Sequence, residues 1–168
     1  MPKEEACYVV LSALPGQVTK SIMKVSIITV CFNSAGTIED TINSVMGQDY
    51  KEIEHIVVDG GSTDGTLEIL DKYRRKISDF ISEPDKGIYD AMNKGLDAAT
   101  GRWILFLGAD DVLHDRETLA EVAPYLTNDV QLVFGNIQYT DGRKVRSRLS
   151  PLTLLHNTVN HQSAFYHA

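Results

Sequence analysis

Apolar residues fall along this chain in two alternating rhythms. Short runs that are apolar at almost every position alternate with longer stretches where apolar residues recur every three or four. The first rhythm predicts strands buried on both faces, and the second predicts amphipathic helices. Val25–Cys31 is the first strong strand, followed by a loop over 32–36. A helix capped by Thr37 comes next, with Ile38, Ile42, Val45 and Met46 on one face. Residues 54–59 form a second apolar run ending in the glycine-rich loop 60–65, and a second helix carries Leu67, Ile69, Leu70 and Tyr73. A short strand over 80–82 precedes Pro84, and 87–99 reads as a helix with Ile88, Ala91, Leu96 and Ala99 as core contacts. Residues 103–107 make a third strong strand, ending at Gly108, Ala109, Asp110 and Asp111. A helix over 117–126 is interrupted near Pro124, and strands follow at 132–134 and 137–139, with Asp141 and Gly142 as a hairpin turn.

Strand and helix in alternation predict an α/β fold: a mostly parallel sheet flanked by helices, with an antiparallel edge towards the end. The chain's 168 residues suffice for one such domain. Residues 1–22 carry little pattern and read as an extension outside the core, or as a loose extra strand. The core is expected over 23–140, with a further region beginning at 141–168.

The formal net charge of -7 argues against a nucleic-acid partner, because neutralising phosphates needs a basic surface. A local basic stretch at Arg143, Lys144, Arg146 and Arg148 reads as a solvated hairpin face, or as a contact for anionic headgroups or an acceptor diphosphate. Two cysteines, Cys7 and Cys31, make no disulfide framework and suit a reducing cytoplasm. The apolar run from Tyr8 to Leu14 follows Glu4 and Glu5, a poor secretory signal, and no stretch is long and apolar enough to span a bilayer. Peripheral attachment at the inner face of a membrane stays open.

Open α/β sheets bind ligands beyond the carboxyl ends of their strands. Three such loops here, after Cys31, Val58 and Leu107, carry conspicuous polar or glycine residues. Gly60, Gly61 and Gly65 allow a nucleotide to approach the backbone, or simply make a tight connection in which Ser62, Thr63 or Asp64 caps the next helix. Adjacent carboxylates at Asp110 and Asp111 repel unless a cation neutralises them, and oxygen ligands of this kind suit Mg²⁺ or Mn²⁺. The alternative is a helix start favoured by the dipole.

Taken together, 25–33 (VSIITVCFN), 56–66 (IVVDGGSTDGT) and 106–111 (FLGADD) resemble family 2 glycosyltransferases of the GT-A fold, from Met23 to about Phe165. The segment 83–95 (EPDKGIYDAMNKG) resembles a subgroup found in O-antigen, capsule and exopolysaccharide assembly. The resemblance implies a Rossmann-like sheet, a nucleotide-diphosphate sugar donor with UDP-sugars favoured, and a divalent Mn²⁺ or Mg²⁺ ion. It also implies a glycan or lipid-linked glycan acceptor and inversion at the transferred carbon. By position, Val30, Phe32, Asn33, Asp59, Gly60, Gly87, Asn93 and Asp110 would border the donor, Phe32 packing against the base unless it is a core residue. Asp111 would hold the ion, with Asp110 beside ribose or ion.

Two positions depart from the family. Gly60 stands where a second aspartate commonly reads the base, and Met92 where many members carry arginine. Lys86 is a candidate for the missing positive charge, or an ordinary exposed lysine. His161, beside Gln162, would lie near donor sugar or acceptor, or be a hydrogen-bonded structural histidine. The base that takes the acceptor proton is expected beyond residue 168, as in a truncated member. Two other readings compete: a domain that binds nucleotide without transferring sugar, and a sugar-phosphate nucleotidyltransferase. The loop 32–36 lacks the basic residue the latter would want, and no Gly-x-Gly-x-x-Gly follows the first strand as a dinucleotide oxidoreductase needs.

Overall fold

Runs of β-branched and aliphatic residues become the centre of a six-stranded sheet in the computed structural model, which describes residues 4–7, 22–139, 142–146 and 163–168. Strands β2 (Val25–Cys31), β3 (Ile53–Asp59) and β5 (Trp103–Gly108) lie side by side and parallel, with β4 (Asp79–Ser82) added in parallel beyond β3. Every residue of β2 is buried, which explains its unbroken apolar run. The mostly parallel, helix-flanked sheet predicted from the alternation is the observed architecture.

Three helices connect the parallel strands. Helix α1 (Ile38–Met46) buries Ile38, Thr41, Ile42 and Val45, whereas Met46, expected on that face, stays 36% exposed at the helix's last turn. Helix α2 (Thr66–Tyr73) buries Leu70 fully. Helix α3 (Ile88–Ala98) departs further from expectation, since Ile88 and Leu96 are exposed and the helix buries only Ala91 and Gly95. The reason is close approach: a methyl group on Gly95 would overlap Ile28 Cγ2 and lie 3.4 Å from Val58 Cγ2. With the helix backbone set directly on the sheet, the larger apolar residues a turn away have no room beneath the helix.

After β5 the chain turns into β6 (Asp111–Leu113), then α4 (Thr118–Val122) and a 3₁₀ turn over Ala123–Tyr125, which accounts for the break expected near Pro124. Gly135 separates β7 (Leu132–Phe134) from β8 (Asn136–Tyr139), and the two enter different sheets. β8 pairs with β9 (Lys144–Arg146) as the expected hairpin, with Gly142 at φ 86° and Gly142 N donating to Tyr139 O at 2.8 Å. The leader is not wholly outside the fold: β1 (Glu4–Cys7) pairs with β6 and β8 in a smaller four-stranded sheet.

The antiparallel element is not at the edge. β10 (Ala164–His167) runs antiparallel between β5 and β7, so residues beyond 140 contribute a central strand. Phe165 is fully buried there with Trp103, Leu105 and Val133. No helix among the described residues is long and apolar enough to cross a membrane.

Candidate active site

The carboxyl ends of β2 and β5 and the start of α3 enclose a cleft of about 580 Å³. Its walls are 30–34 and Thr37 from the β2 end, Asp85, Gly87, Ile88 and Ala91 around the start of α3, and 108–110 from the β5 end. Strand register sets this arrangement, because Val30 lies opposite Gly108 and Cys31 opposite Asp59. The acidic pair and the Phe32 and Asp59 loops therefore share one end of the sheet.

The loop after β2 is stapled to the loop after β3. Asn33 N donates to Ser62 Oγ at 2.8 Å, Thr63 N to Asn33 Oδ1 at 2.9 Å, and Ser34 N to Thr66 Oγ1 at 2.8 Å. Asn33 holds a positive φ of 50°, a conformation asparagine tolerates better than most residues. Asp64 accepts from Ala35 N at 3.0 Å and from Thr66 N at 3.1 Å, tying the loop to the first residue of α2, whose N-cap is Gly65, left-handed at φ 99° and without a side-chain cap bond. These staples leave the Phe32 ring 62% exposed on the cleft wall, so it is not a core residue.

Asp59 sits beneath the cleft rather than on its wall. It is fully buried, and its carboxylate accepts from Gly61 N at 3.0 Å, from Ser62 N at 3.1 Å, from Ser82 Oγ at 2.9 Å and from Ser62 Oγ. Those bonds organise the turn that the nucleotide was expected to border. Beside it, burial first, and then the Asp59 carboxylate, push the Cys31 thiol up to about 12, so this cysteine is a packed, unreactive group.

Asp110 and Asp111 converge on Gly108. Gly108 N donates to Asp111 Oδ2 at 3.1 Å. A methyl group on Gly108 would lie 2.8 Å from Asp111 Oδ2 and 3.0 Å from Asp110 Oδ1, so both carboxylates close over the same face of the glycine. Asp111 is 4% exposed and opens strand β6, which removes the helix-start reading of the pair. Two adjacent carboxylates are a donor set that suits Mg²⁺ or Mn²⁺, ions that complete their shell with water and substrate phosphates. Among the described residues no group of three His, Cys, Asp or Glu is gathered as a metal site.

Helix α1 holds this turn in place. Thr41 Oγ1 donates to Ala109 O at 3.0 Å, and Leu113 N donates to Ser44 Oγ at 3.1 Å. Gln48 Nε2 donates to Asp115 O at 2.5 Å and its Oε1 accepts from Leu119 N at 3.0 Å. The hydrophobic pattern did not single out Thr41, Ser44 and Gln48. Thr41 and Ser44, three apart on α1, nonetheless share a polar stripe beside the apolar one, and Gln48 follows just past the helix's C-cap Gly47.

Of the donor-bordering candidates, Val30, Phe32, Asn33, Gly87 and Asp110 line the cleft, while Gly60 is not a lining residue and is buried beneath Asp85 and Phe32, which are. Asn93 is exposed on α3 and is not among the lining residues, because it falls midway between Ala91 and Gly95, the positions that face the sheet. Lys86 is exposed, its backbone amide donates to Asp90 Oδ2 at 3.1 Å, and its charge acts on the same carboxylate. His161 and Arg148 lie outside the described residues. Asp85 lines the cleft and was not anticipated.

The profile of Glycosyl transferase family 2 matches residues 26–167. A PGL/p-HBAD biosynthesis glycosyltransferase of Mycobacterium bovis BCG is 36% identical over 148 residues, covering 84% of this chain and 58% of that protein. An uncharacterized glycosyltransferase of Nostoc sp. is 34% identical over 123 residues, covering 71% of this chain and 38% of its own length. Among solved structures, S. aureus TarS 1–349 in complex with UDP-GlcNAc is similar at 37% identity and a TM-score of 0.57, over 62% of this chain and 31% of TarS. Mannosyltransferase PcManGT from Pyrobaculum calidifontis, in complex with GDP-Man and Mn²⁺, shares the fold at a TM-score of 0.68 and 21% identity, over 92% of this chain and 48% of that one. The chain thus spans little more than half the length of the mycobacterial relative.

Proposed function

Because the chain belongs to glycosyl transferase family 2, we propose that its cleft binds a nucleotide-diphosphate sugar, UDP-linked in the favoured case, for inverting transfer to an acceptor hydroxyl. The observation that carries this reading is the convergence of Asp110 and Asp111 on Gly108, at one end of a cleft whose wall is the exposed Phe32 ring. Phe32 offers an aromatic face for a base to stack on, and the Gly108 turn offers carboxylate oxygens for a divalent ion. When bound, Mn²⁺ or Mg²⁺ supplies positive charge to the departing diphosphate. The chain's own residues orient the donor: the stapled loops 32–35 and 62–66 hold the base wall rigid, and Thr41 and Ser44 hold the acidic turn. TarS, structurally similar and crystallised with UDP-GlcNAc, supports a uridine donor. The acceptor in this reading is a glycan or lipid-linked glycan, whose hydroxyl gives up its proton to a base.

Titration calorimetry with UDP, with and without Mn²⁺, tests this on wild type and Asp111→Asn. Groups that merely orient a metal ligand are worth roughly 10–100-fold in affinity, so losing the ligand itself should cost more than about 100-fold. Binding should need the ion in wild type and be nearly abolished in the variant. Equal, ion-independent binding by both proteins would sink the assignment.

A further inference from the structure

The floor of the cleft has a gap above Gly60 that is filled from elsewhere in the chain. A methyl group on Gly60 would overlap Asp85 Oδ2 and would lie 3.5 Å from Phe32 Cδ2. The Asp85 carboxylate therefore occupies the space a side chain at 60 would take, against the edge of the exposed ring. One of its oxygens is committed, since Gly87 N donates to Asp85 Oδ1 at 2.8 Å. The other, Oδ2, is the one set over Gly60 beside the Phe32 ring, and Asp85 is itself among the residues that line the cleft.

Strand order gives this carboxylate a direction. The sheet runs β4-β3-β2-β5, so Asp85, which follows β4, lies towards one end of the strand tips and Asp110, which follows β5, lies towards the other. Phe32, at the tip of β2, stands between them. The Asp85 carboxylate itself lies over Gly60 at the tip of β3, and with neighbouring strands about 4.8 Å apart β3 to β5 spans about 10 Å. A diphosphate at the Asp110 end puts a base stacked on Phe32 with its edge towards Asp85.

We infer that Asp85 reads the base of the donor, selecting one that carries a ring N–H on its pairing edge, uracil or guanine, over cytosine and adenine. This rests on the nucleotide-sugar reading above. An ionised carboxylate only accepts hydrogen bonds. The ring N–H of uracil or guanine satisfies it, whereas cytosine and adenine place a ring nitrogen lone pair at the same point of the edge. Two acceptors then face each other in a partly dry cleft, and both stay unpaired.

Calorimetry against UDP, GDP, CDP and ADP, all with Mn²⁺, tests the assignment. Wild type should bind UDP or GDP at least about tenfold more tightly than CDP and ADP, the factor one lost hydrogen bond is worth. In Asp85→Asn, whose amide both donates and accepts, that ratio should fall below about threefold, with CDP bound as well as by wild type or better. Gly60→Ala keeps the carboxylate but pushes it aside, and should compress the ratio in the same way. A ratio unchanged in both variants overturns the inference while leaving the nucleotide-sugar reading intact. Equal loss of all four ligands in Asp85→Asn also overturns it, because a base-reading group leaves the diphosphate contacts alone. If wild type binds none of the four, the nucleotide-sugar reading falls and takes this inference with it.

Discussion

Gly108 carries no side chain, and the placing of Asp110 and Asp111 depends on that. Its amide holds Asp111 Oδ2 at 3.1 Å, and the space a methyl group would need is already bounded by Asp111 and Asp110 oxygens. Gly108→Ala must therefore splay the pair without removing either charge. We expect it to weaken Mn²⁺-dependent UDP binding by roughly 10–100-fold, the scale of disturbing a ligand's orientation, with far-ultraviolet circular dichroism unchanged. Wild-type affinity in Gly108→Ala would show that the two carboxylates need not converge. At this scale the sequence was only partly readable. Asp110 and Asp111 stood out because adjacent charges after an apolar strand are visible in one dimension. Asp59 was visible for the same reason, yet its carboxylate is spent on the Gly61 and Ser62 amides and the Ser62 and Ser82 hydroxyls, partners that only the folded turn brings together. Asp85 was hidden because its relation to Gly60 runs through space across a strand.

Helix α3 shows what periodicity can and cannot tell about an element. The pattern over 87–99 predicts a helix correctly, and Ala91 is on its buried face. Size, however, was a poor guide to which positions touch the sheet: Leu96 is 41% exposed, while Gly95 packs against Ile28 and Val58. An apolar count scores leucine high and glycine as a breaker, so a helix seated by its smallest residues reads with its inner positions misassigned. Gly95→Ala tests the seating. Although alanine favours helix by about 1 kcal/mol over glycine, overlap with Ile28 should dominate and destabilise the fold by about 1–3 kcal/mol in urea unfolding. Stabilisation would mean that the helix can lift off the sheet at no cost. Because Gly87, Ile88 and Ala91 wall the cleft, the same variant bears on the site as well as on stability.

The whole molecule is tied at the end of the sheet opposite the cleft by a buried polar network. Glu54 accepts from Lys24 Nζ at 2.6 Å, Ser26 Oγ at 2.5 Å, Thr100 N at 2.7 Å and Thr100 Oγ1 at 2.6 Å. Burial alone would raise this carboxyl, but bonds from Lys24, Ser26 and Thr100 outweigh it and hold it down at about 2. Next to it, burial lowers His55 to about 4, with Nε2 3.0 Å from Thr29 Oγ1 and Nδ1 without a partner among the described residues. Both groups hold fewer protons folded than unfolded, so both stabilise the protein at neutral pH and lose that contribution in acid. The His55 share should fade as pH drops from 6.5 towards about 4, and the Glu54 share from 4.5 towards about 2. Urea midpoints measured from pH 7 to 3 should therefore decline in two stages, with His55→Leu removing the upper one. A wild-type midpoint that is flat between pH 6.5 and 4 would contradict this. None of that network is readable from the pattern, because its members come from three separate segments of chain.

The position of β10 reaches beyond the finished molecule. β5 and β7 are joined only through 164–167, which lie between them in the sheet. On a ribosome, then, β2 to β5 emerge and assemble while the outer rim of β5, with Trp103 and Leu105 along it, still waits for its neighbour. An open apolar rim of that kind recruits other strands. Until 164–167 are made, that rim of β5 is open to pairing with other strands.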